Sequence, residues 1–245
     1  MASEEVNPTA AEDDVNCPLA TSKCYVKTAT SKKCSAYCAR MGYQVLERAD
    51  WRPGVVMRIT GGQARGIPLH LPKGDAVRPA TDALRQAVFS SLALRVPGAT
   101  FLDLFAGSGA YGLEALSRGA TGGVWVEKNA RTAAFINQNI SAVCKSIGRE
   151  NRGLQVITAD ATSVPWGPVP DLVFIDPPYE IIREVAPKLF GRLSEFLAGQ
   201  PDPLVVFEMP GEIELSPEGW TCVKRLGKGT RQPTVGVFRA SRALP

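Results

Sequence analysis

The chain has 245 residues, 44% of them hydrophobic and 21% charged, enough for one α/β domain with a full core and an appendage, which excludes two large domains. No run approaches the roughly 18 apolar residues that a membrane-crossing helix needs. The acidic opening MASEEVNPTAAEDD differs from the basic start of a signal or transit peptide, so a cytoplasmic protein with no membrane association is expected.

The formal charge of +4 is too small to name a partner, but it is unevenly placed. Residues 1–56 hold seven acids and seven bases, residues 96–245 hold fifteen of each, and the whole excess falls in residues 57–95. There Arg58, Arg65, Lys73, Arg78, Arg85 and Arg95 face only Asp75 and Asp82, which reads as a footprint for a polyanion or as an ordinary solvated face.

Residues 1–54 show no sustained period and few large apolar groups, and are read as a poorly ordered extension. Four of the six cysteines, Cys17, Cys24, Cys34 and Cys38, lie there; only Cys34 and Cys38 have ligand-like spacing, so free thiols and no metal are expected. The folded domain is placed at 55–245, with a hairpin and helix over 55–98 and the main sheet over 99–245. Short β-prone runs at 55–60 and 67–71 flank Gly61-Gly62 and predict a small hairpin. Thr81-Asp82 then caps a helix in which Leu84, Val88, Phe89 and Leu92 recur at helical spacing, and Pro97-Gly98 ends it. His70, the single histidine, has no partner of its kind and is assigned no role.

Beyond residue 98 the pattern alternates. Strands are predicted at 101–105, 123–126, 154–158, 172–175, 204–207, 221–226 and 235–238, with helices at 110–118, 130–147 and 181–197. Seven strands ending in a late hairpin predict a doubly wound, mostly parallel α/β sheet of the Rossmann-like kind.

The first of these strands runs directly into Gly107-Ser108-Gly109-Ala110-Tyr111-Gly112, a G-x-G-x-x-G that opens a helix. Glycines suit so tight a turn because it demands unusual φ values and a close backbone approach. By itself the motif would serve a nicotinamide or flavin enzyme equally well. Three acids narrow the choice. Glu127 ends the second strand, where a carboxylate can accept from both ribose hydroxyls, and Asp160 follows the third, where analogy with this fold places an adenine amine. Asp103 precedes the glycines, where it can meet the ammonium of a methionine moiety, a need that dinucleotide enzymes lack. With Phe105, these residues form the expected S-adenosylmethionine site.

The most specific stretch is Asp171-Leu-Val-Phe-Ile-Asp176-Pro177-Pro178-Tyr179, an apolar strand ending in an acid, two prolines and an aromatic. Here the chain resembles the amino-methyltransferases. An exocyclic amine on a nucleic-acid base is a poor nucleophile because its lone pair is delocalised into the ring. The Asp176 carboxylate and Pro177 carbonyl can accept its hydrogens and favour a pyramidal nitrogen, while the prolines stiffen the turn. Tyr179 can stack on a base that has left its helix. Pro178 completes the candidate catalytic set.

Over residues 57 to about 240 the chain is similar to the RsmD-type family of bacterial 16S ribosomal RNA guanine-N2 methyltransferases. The matching stretches are Met57-Arg-Ile-Thr-Gly-Gly, Val77-Arg-Pro-Ala-Thr-Asp-Ala-Leu-Arg-Gln-Ala-Val-Phe, Leu102-Asp-Leu-Phe-Ala-Gly-Ser-Gly-Ala-Tyr-Gly-Leu-Glu-Ala-Leu-Ser-Arg-Gly and Asp176-Pro-Pro-Tyr. Family members often begin near the position of Met57, and Ala80, Ala83, Gln86 and the stretch 228–232 depart from the pattern. The resemblance implies a guanine N2 product in 16S ribosomal RNA or the small ribosomal subunit. It also places Arg58, Arg65, Arg78 and Arg85 in the basic segment against RNA or cofactor; separately, a monomer is expected. The residues alone leave open an amino-methyltransferase with another RNA or DNA target, or a non-catalytic nucleic-acid-binding protein on the same scaffold.

Overall fold

A computed structural model describes residues 57–71, 82–227, 229–230 and 232–241. The expectations for residues 1–54, their four cysteines, and Arg78 lie outside the described residues. The elements in chain order are α1 (Asp82–Ser91), β1 (Thr100–Leu104), α2 (Ala110–Ser117), β2 (Gly122–Glu127), α3 (Ala130–Ile147), β3 (Leu154–Thr158), β4 (Leu172–Ile175), α4 (Ile182–Phe196), β5 (Leu204–Pro210), β6 (Trp220–Leu226) and β7 (Pro233–Ala240). A single turn of tighter helix, Tyr179–Ile181, leads into α4.

The strands form one seven-stranded sheet in the order β3-β2-β1-β4-β5-β7-β6. The first five strands run parallel, and β7 lies antiparallel between β5 and β6. The order reverses at β1 and β4, so a crevice opens beyond their carboxyl ends, where doubly wound sheets bind their ligands.

Side chains alternate across a strand, and here the alternation divides the core into two layers. Phe101, Trp125, Leu172, Phe174, Leu204 and Val206 point to the face covered by α1, α2, α3 and the N-terminal segment. Leu102, Leu104, Val124, Val126, Val173, Ile175, Val205 and Phe207 point to the other, where α4 inserts Ile182, Val185, Leu189, Phe190 and Leu193. Those five recur at helical spacing, which is why 182–196 forms a helix with one apolar stripe. Burying each such side chain contributes on the order of 1.5–3 kcal/mol. Helix α3 is bounded by its own chemistry: the Asn129 side chain accepts from the backbone N–H groups of Arg131 and Thr132, and Gly148 ends it in the left-handed conformation at φ 68°.

The N-terminal hairpin is smaller than its β-prone runs suggest. Ladder pairing is confined to one antiparallel bridge, Arg58 with Pro68, supported by backbone bonds from Ile59 to Ile67 and from Leu69 to Met57. The segment is held chiefly by what it packs on. Ile59 is fully buried, and the Ser117 hydroxyl donates to the Gly61 carbonyl while accepting from the Ala64 N–H.

Candidate active site

The same alternation that builds the core sets a row of acids. Asp103 on β1 lies in phase with Phe101, Glu127 at the end of β2 with Trp125, and Asp176 and Glu208, beyond β4 and within β5, with Phe174 and Val206. In sheet order they stand as Glu127, Asp103, Asp176, Glu208, all on the face of α2 and all lining one cleft of about 720 Å³. That size suits a small-molecule ligand. Phe105, Gly107, Ser108, Tyr111, Asp160, Pro177, Pro178 and Tyr179 line it too.

The loop after β1 is strained and pinned. Phe105 has φ 58°, a left-handed backbone costly for an aromatic residue, on the order of 1–3 kcal/mol. Gly107 follows at φ 52° and donates its N–H to Glu127 Oε2 at 2.9 Å; Glu127 Oε1 accepts from the Asn129 N–H at 2.8 Å. Both carboxylate oxygens are thereby oriented while keeping lone pairs that could accept from a vicinal diol. Asp103 is 1% exposed and accepts from the Gly112 N–H at 2.9 Å. Burial pushes its carboxyl up to about 8, with the Gly112 bond opposing and the Glu127 charge adding to the rise. A buried acid in this condition gains most from a cation brought into the cleft.

The glycines divide their work. Gly107 lines the cleft, whereas a Cβ at Gly109 or Gly112 would run into the Trp125 indole behind the loop. Gly109 and Gly112 therefore serve the turn and the close packing of α2 on the sheet. Asp160 lines the cleft, but one carboxylate oxygen accepts from the Thr162 N–H and hydroxyl, and the other from Lys128 at 3.1 Å. The Thr162 bonds, with Lys128, hold its carboxyl down at about 2.

Asp176 marks the end of β4, its N–H bonded to the Leu104 carbonyl, and Pro178 opens the tight turn that carries Tyr179. Asp176 is partly exposed to the cleft. Enclosure by protein, then the charges of Glu208 and Asp103, push its carboxyl well above the usual range. Two residues without an assigned role complete the floor. Tyr111 donates its hydroxyl to Glu208 Oε2 at 2.7 Å and stacks on Phe174 at 5.4 Å. Glu208 is pushed up to about 7 by burial, against the Tyr111 bond and the Arg85 charge. Tyr111 is pushed well above its ordinary value by burial and by the negative charges of Glu208 and Asp176.

The basic segment does not act as one surface. Arg85 is fully buried: its Nε reaches Glu114 at 3.4 Å, and its Nη2 meets Asp82 at 2.8 Å and the Arg58 carbonyl. Its placement against RNA is corrected, because no solvent path reaches the guanidinium. Arg95 is paired with Asp202. Arg58 and Arg65 are exposed. Among the described residues, no group of three or more His, Cys, Asp or Glu is placed to hold a metal ion, and no helix is long and apolar enough to cross a membrane.

The model of the family described as Conserved hypothetical protein 95 matches residues 57–235. The chain is 38% identical over 169 residues to Ribosomal RNA small subunit methyltransferase D of Escherichia coli strain K12, a match covering 67% of this chain and 81% of that protein. The Haemophilus influenzae protein of the same name is 29% identical over 175 residues, covering 71% and 89%. Among solved structures, a hypothetical protein of Thermus thermophilus superposes with a TM-score of 0.57 at 31% identity, covering 74% of this chain and 98% of the other.

Proposed function

Because the chain belongs to the family described as Conserved hypothetical protein 95, with relatives named as small-subunit ribosomal RNA methyltransferases, we propose that it methylates the exocyclic N2 amine of a guanine in 16S ribosomal RNA. The observation that carries this reading is that one cleft holds both the acids Asp103 and Glu127 at the ends of β1 and β2 and the Asp176-Pro177-Pro178-Tyr179 turn at the end of β4.

The donor set fits S-adenosylmethionine. Glu127 takes the ribose hydroxyls, Asp103 the methionine ammonium, the Phe105–Gly107 backbone the middle of the molecule, and Asp160 the side of the adenine amine. When bound, this cofactor supplies an electrophilic methyl on a sulfonium sulfur, which keeps the electron pair of the broken S–C bond as the new N–C bond forms. Asp176 and the Pro177 carbonyl accept the hydrogens of the target amine and direct its lone pair toward the cofactor side of the cleft. Tyr179 covers the flipped base, and Pro177 and Pro178 hold the turn so that little ordering is left for the transition state. Arg58 and Arg65, both exposed, contact RNA phosphates. The protein works as a cytoplasmic monomer on the small subunit or its RNA, with residues 1–54 a dispensable extension.

The test is methyl transfer from labelled S-adenosylmethionine to small ribosomal subunits lacking the modification, followed by nucleoside digestion. Labelled N2-methylguanosine is the expected product. Label in another nucleoside would keep the enzyme and discard its target.

A further inference from the structure

Strand β5 carries a group that the proposed chemistry has not used. Glu208 lies one residue beyond Phe207, whose Cα is in register with Ile175, so it stands beside Asp176 at the strand ends. It is 3% exposed, lines the same cleft, and is fixed by the 2.7 Å bond from the Tyr111 hydroxyl. Charged and titratable groups face this pair from three further elements: Asp103 on β1, Tyr111 on α2 and Arg85 on α1. Arg85 is the one cation among them, and it is already engaged by Glu114 and Asp82. The Tyr111 bond and the Arg85 charge favour ionised Glu208, and its charge in turn raises the proton affinity of Asp176.

We propose that Glu208 is a positioning residue for methyl transfer: pinned by Tyr111 beside Asp176, it stays ionised and makes Asp176 the stronger base toward the target amine. The proposal rests on the methyl-transfer reading of this cleft. Its proton balance closes. Once the N–C bond has formed, the nitrogen bears a positive charge and two hydrogens. One of these passes as a proton to ionised Asp176, so the pair goes from two negative charges to one proton and one negative charge. That proton returns to water as the product leaves. Glu208 never touches the substrate; it sets the state in which Asp176 meets it.

The experiment has two arms. In the first, the carboxyl carbons of Asp176 and Glu208 are followed by NMR across pH in the wild-type chain without RNA. Two coupled steps seen at both residues are expected, and independent titration of the two would overturn the proposal. In the second, the pH dependence of kcat for methylation of small subunits is compared for wild type, Glu208→Gln and Glu208→Asp. Removing the neighbouring acid weakens Asp176 as a base, so Glu208→Gln lowers kcat about tenfold. It also moves the acid limb down by about one pH unit with KM for S-adenosylmethionine unchanged, and Glu208→Asp restores the wild-type limb. A Glu208→Gln profile scaled down but unshifted would mean that Glu208 only supports the fold, and would overturn the proposal. If the wild-type chain transfers no methyl to the subunits, the target reading fails, and the titration alone decides the pair.

Discussion

Two sets of buried charge meet on helix α2, and they are built on opposite plans. Glu114 accepts from the Thr60 N–H and hydroxyl, from Arg85 Nε and from Arg118 Nε, so a buried carboxylate is matched by two guanidiniums and two neutral donors. Three residues away, Tyr111 reaches Glu208 in a row of acids that also holds Asp103 and Asp176 and opens on the cleft. The first set is compensated and joins the N-terminal segment to α1 and α2. The second is like-charged, poorly solvated and raised in proton affinity. A protein accepts that cost where a ligand will supply the missing positive charge. Arg85 is bonded to the first set and acts on Glu208 through its charge; its Nη1 is the one buried side-chain nitrogen or oxygen without a hydrogen bond among the described residues.

The comparison breaks first at Asp176. Asp176→Ala is expected to lower single-turnover methyl transfer by at least about 100-fold, while calorimetry shows S-adenosylmethionine affinity nearly unchanged. An equal loss of cofactor affinity would show that the carboxylate faces the cofactor instead of the target amine.

The compensated set should fail in the opposite sense. Glu114→Ala takes a partner from the buried Arg85 guanidinium and from the partly exposed Arg118 and is expected to cost about 3–5 kcal/mol in urea unfolding. The protein that remains folded should bind cofactor as before. A loss under about 1 kcal/mol would mean that water or a rearranged partner already serves Arg85 and Arg118.

The two sets also separate by pH. Asp103 binds its proton more tightly folded, at about 8, than unfolded, at 3.8. Below the lower value both states are protonated and the site makes no difference. Between the two the unfolded chain ionises first, so stability falls as pH rises from about 4 to about 8. Urea midpoints across this range should fall more steeply for wild type than for Asp103→Asn. Binding of an ammonium favours the ionised form, so cofactor affinity should climb over the same interval in wild type and stay flat in Asp103→Asn. Parallel curves for the two proteins would remove Asp103 from the ammonium site. The least change is expected from deleting residues 1–54: kcat and KM on small subunits should stay within about twofold, since mutations remote from a site usually act independently of it. A folded but inactive truncation would bring that segment into the mechanism.

Much of this was legible in the residues. The strand-turn-helix around Gly107 and the apolar runs of the parallel strands are local signals, and the structure reproduces them within a residue or two, with 154–158 and 172–175 unchanged. The apolar run 204–207 predicts too short a strand β5. It stops before an acid, and an acid normally marks the water's edge, whereas β5 continues through buried Glu208 to Pro210. The signal that would have found Glu208 is its phase: it keeps step with Leu204 and Val206, which face the core. The basic segment misled for the complementary reason. A count of charges along the chain contains no partners, and Arg85 finds its partners in Glu114, 29 residues away, and in the Arg58 carbonyl.

The sequence by itself determined which segments are strands and helices, which acids end the strands, and where the Asp176-Pro177-Pro178-Tyr179 turn falls. Each of these depends on a period or a motif within about a dozen residues. Only the tertiary structure decided that Glu127, Asp103, Asp176 and Glu208 form one row, that Gly109 and Gly112 face the Trp125 indole and not the cleft, and that Arg85 is buried. Those facts depend on strand order and on the face each residue takes, and burial, which sets the proton affinity of a carboxyl, exists only once distant segments have closed around it.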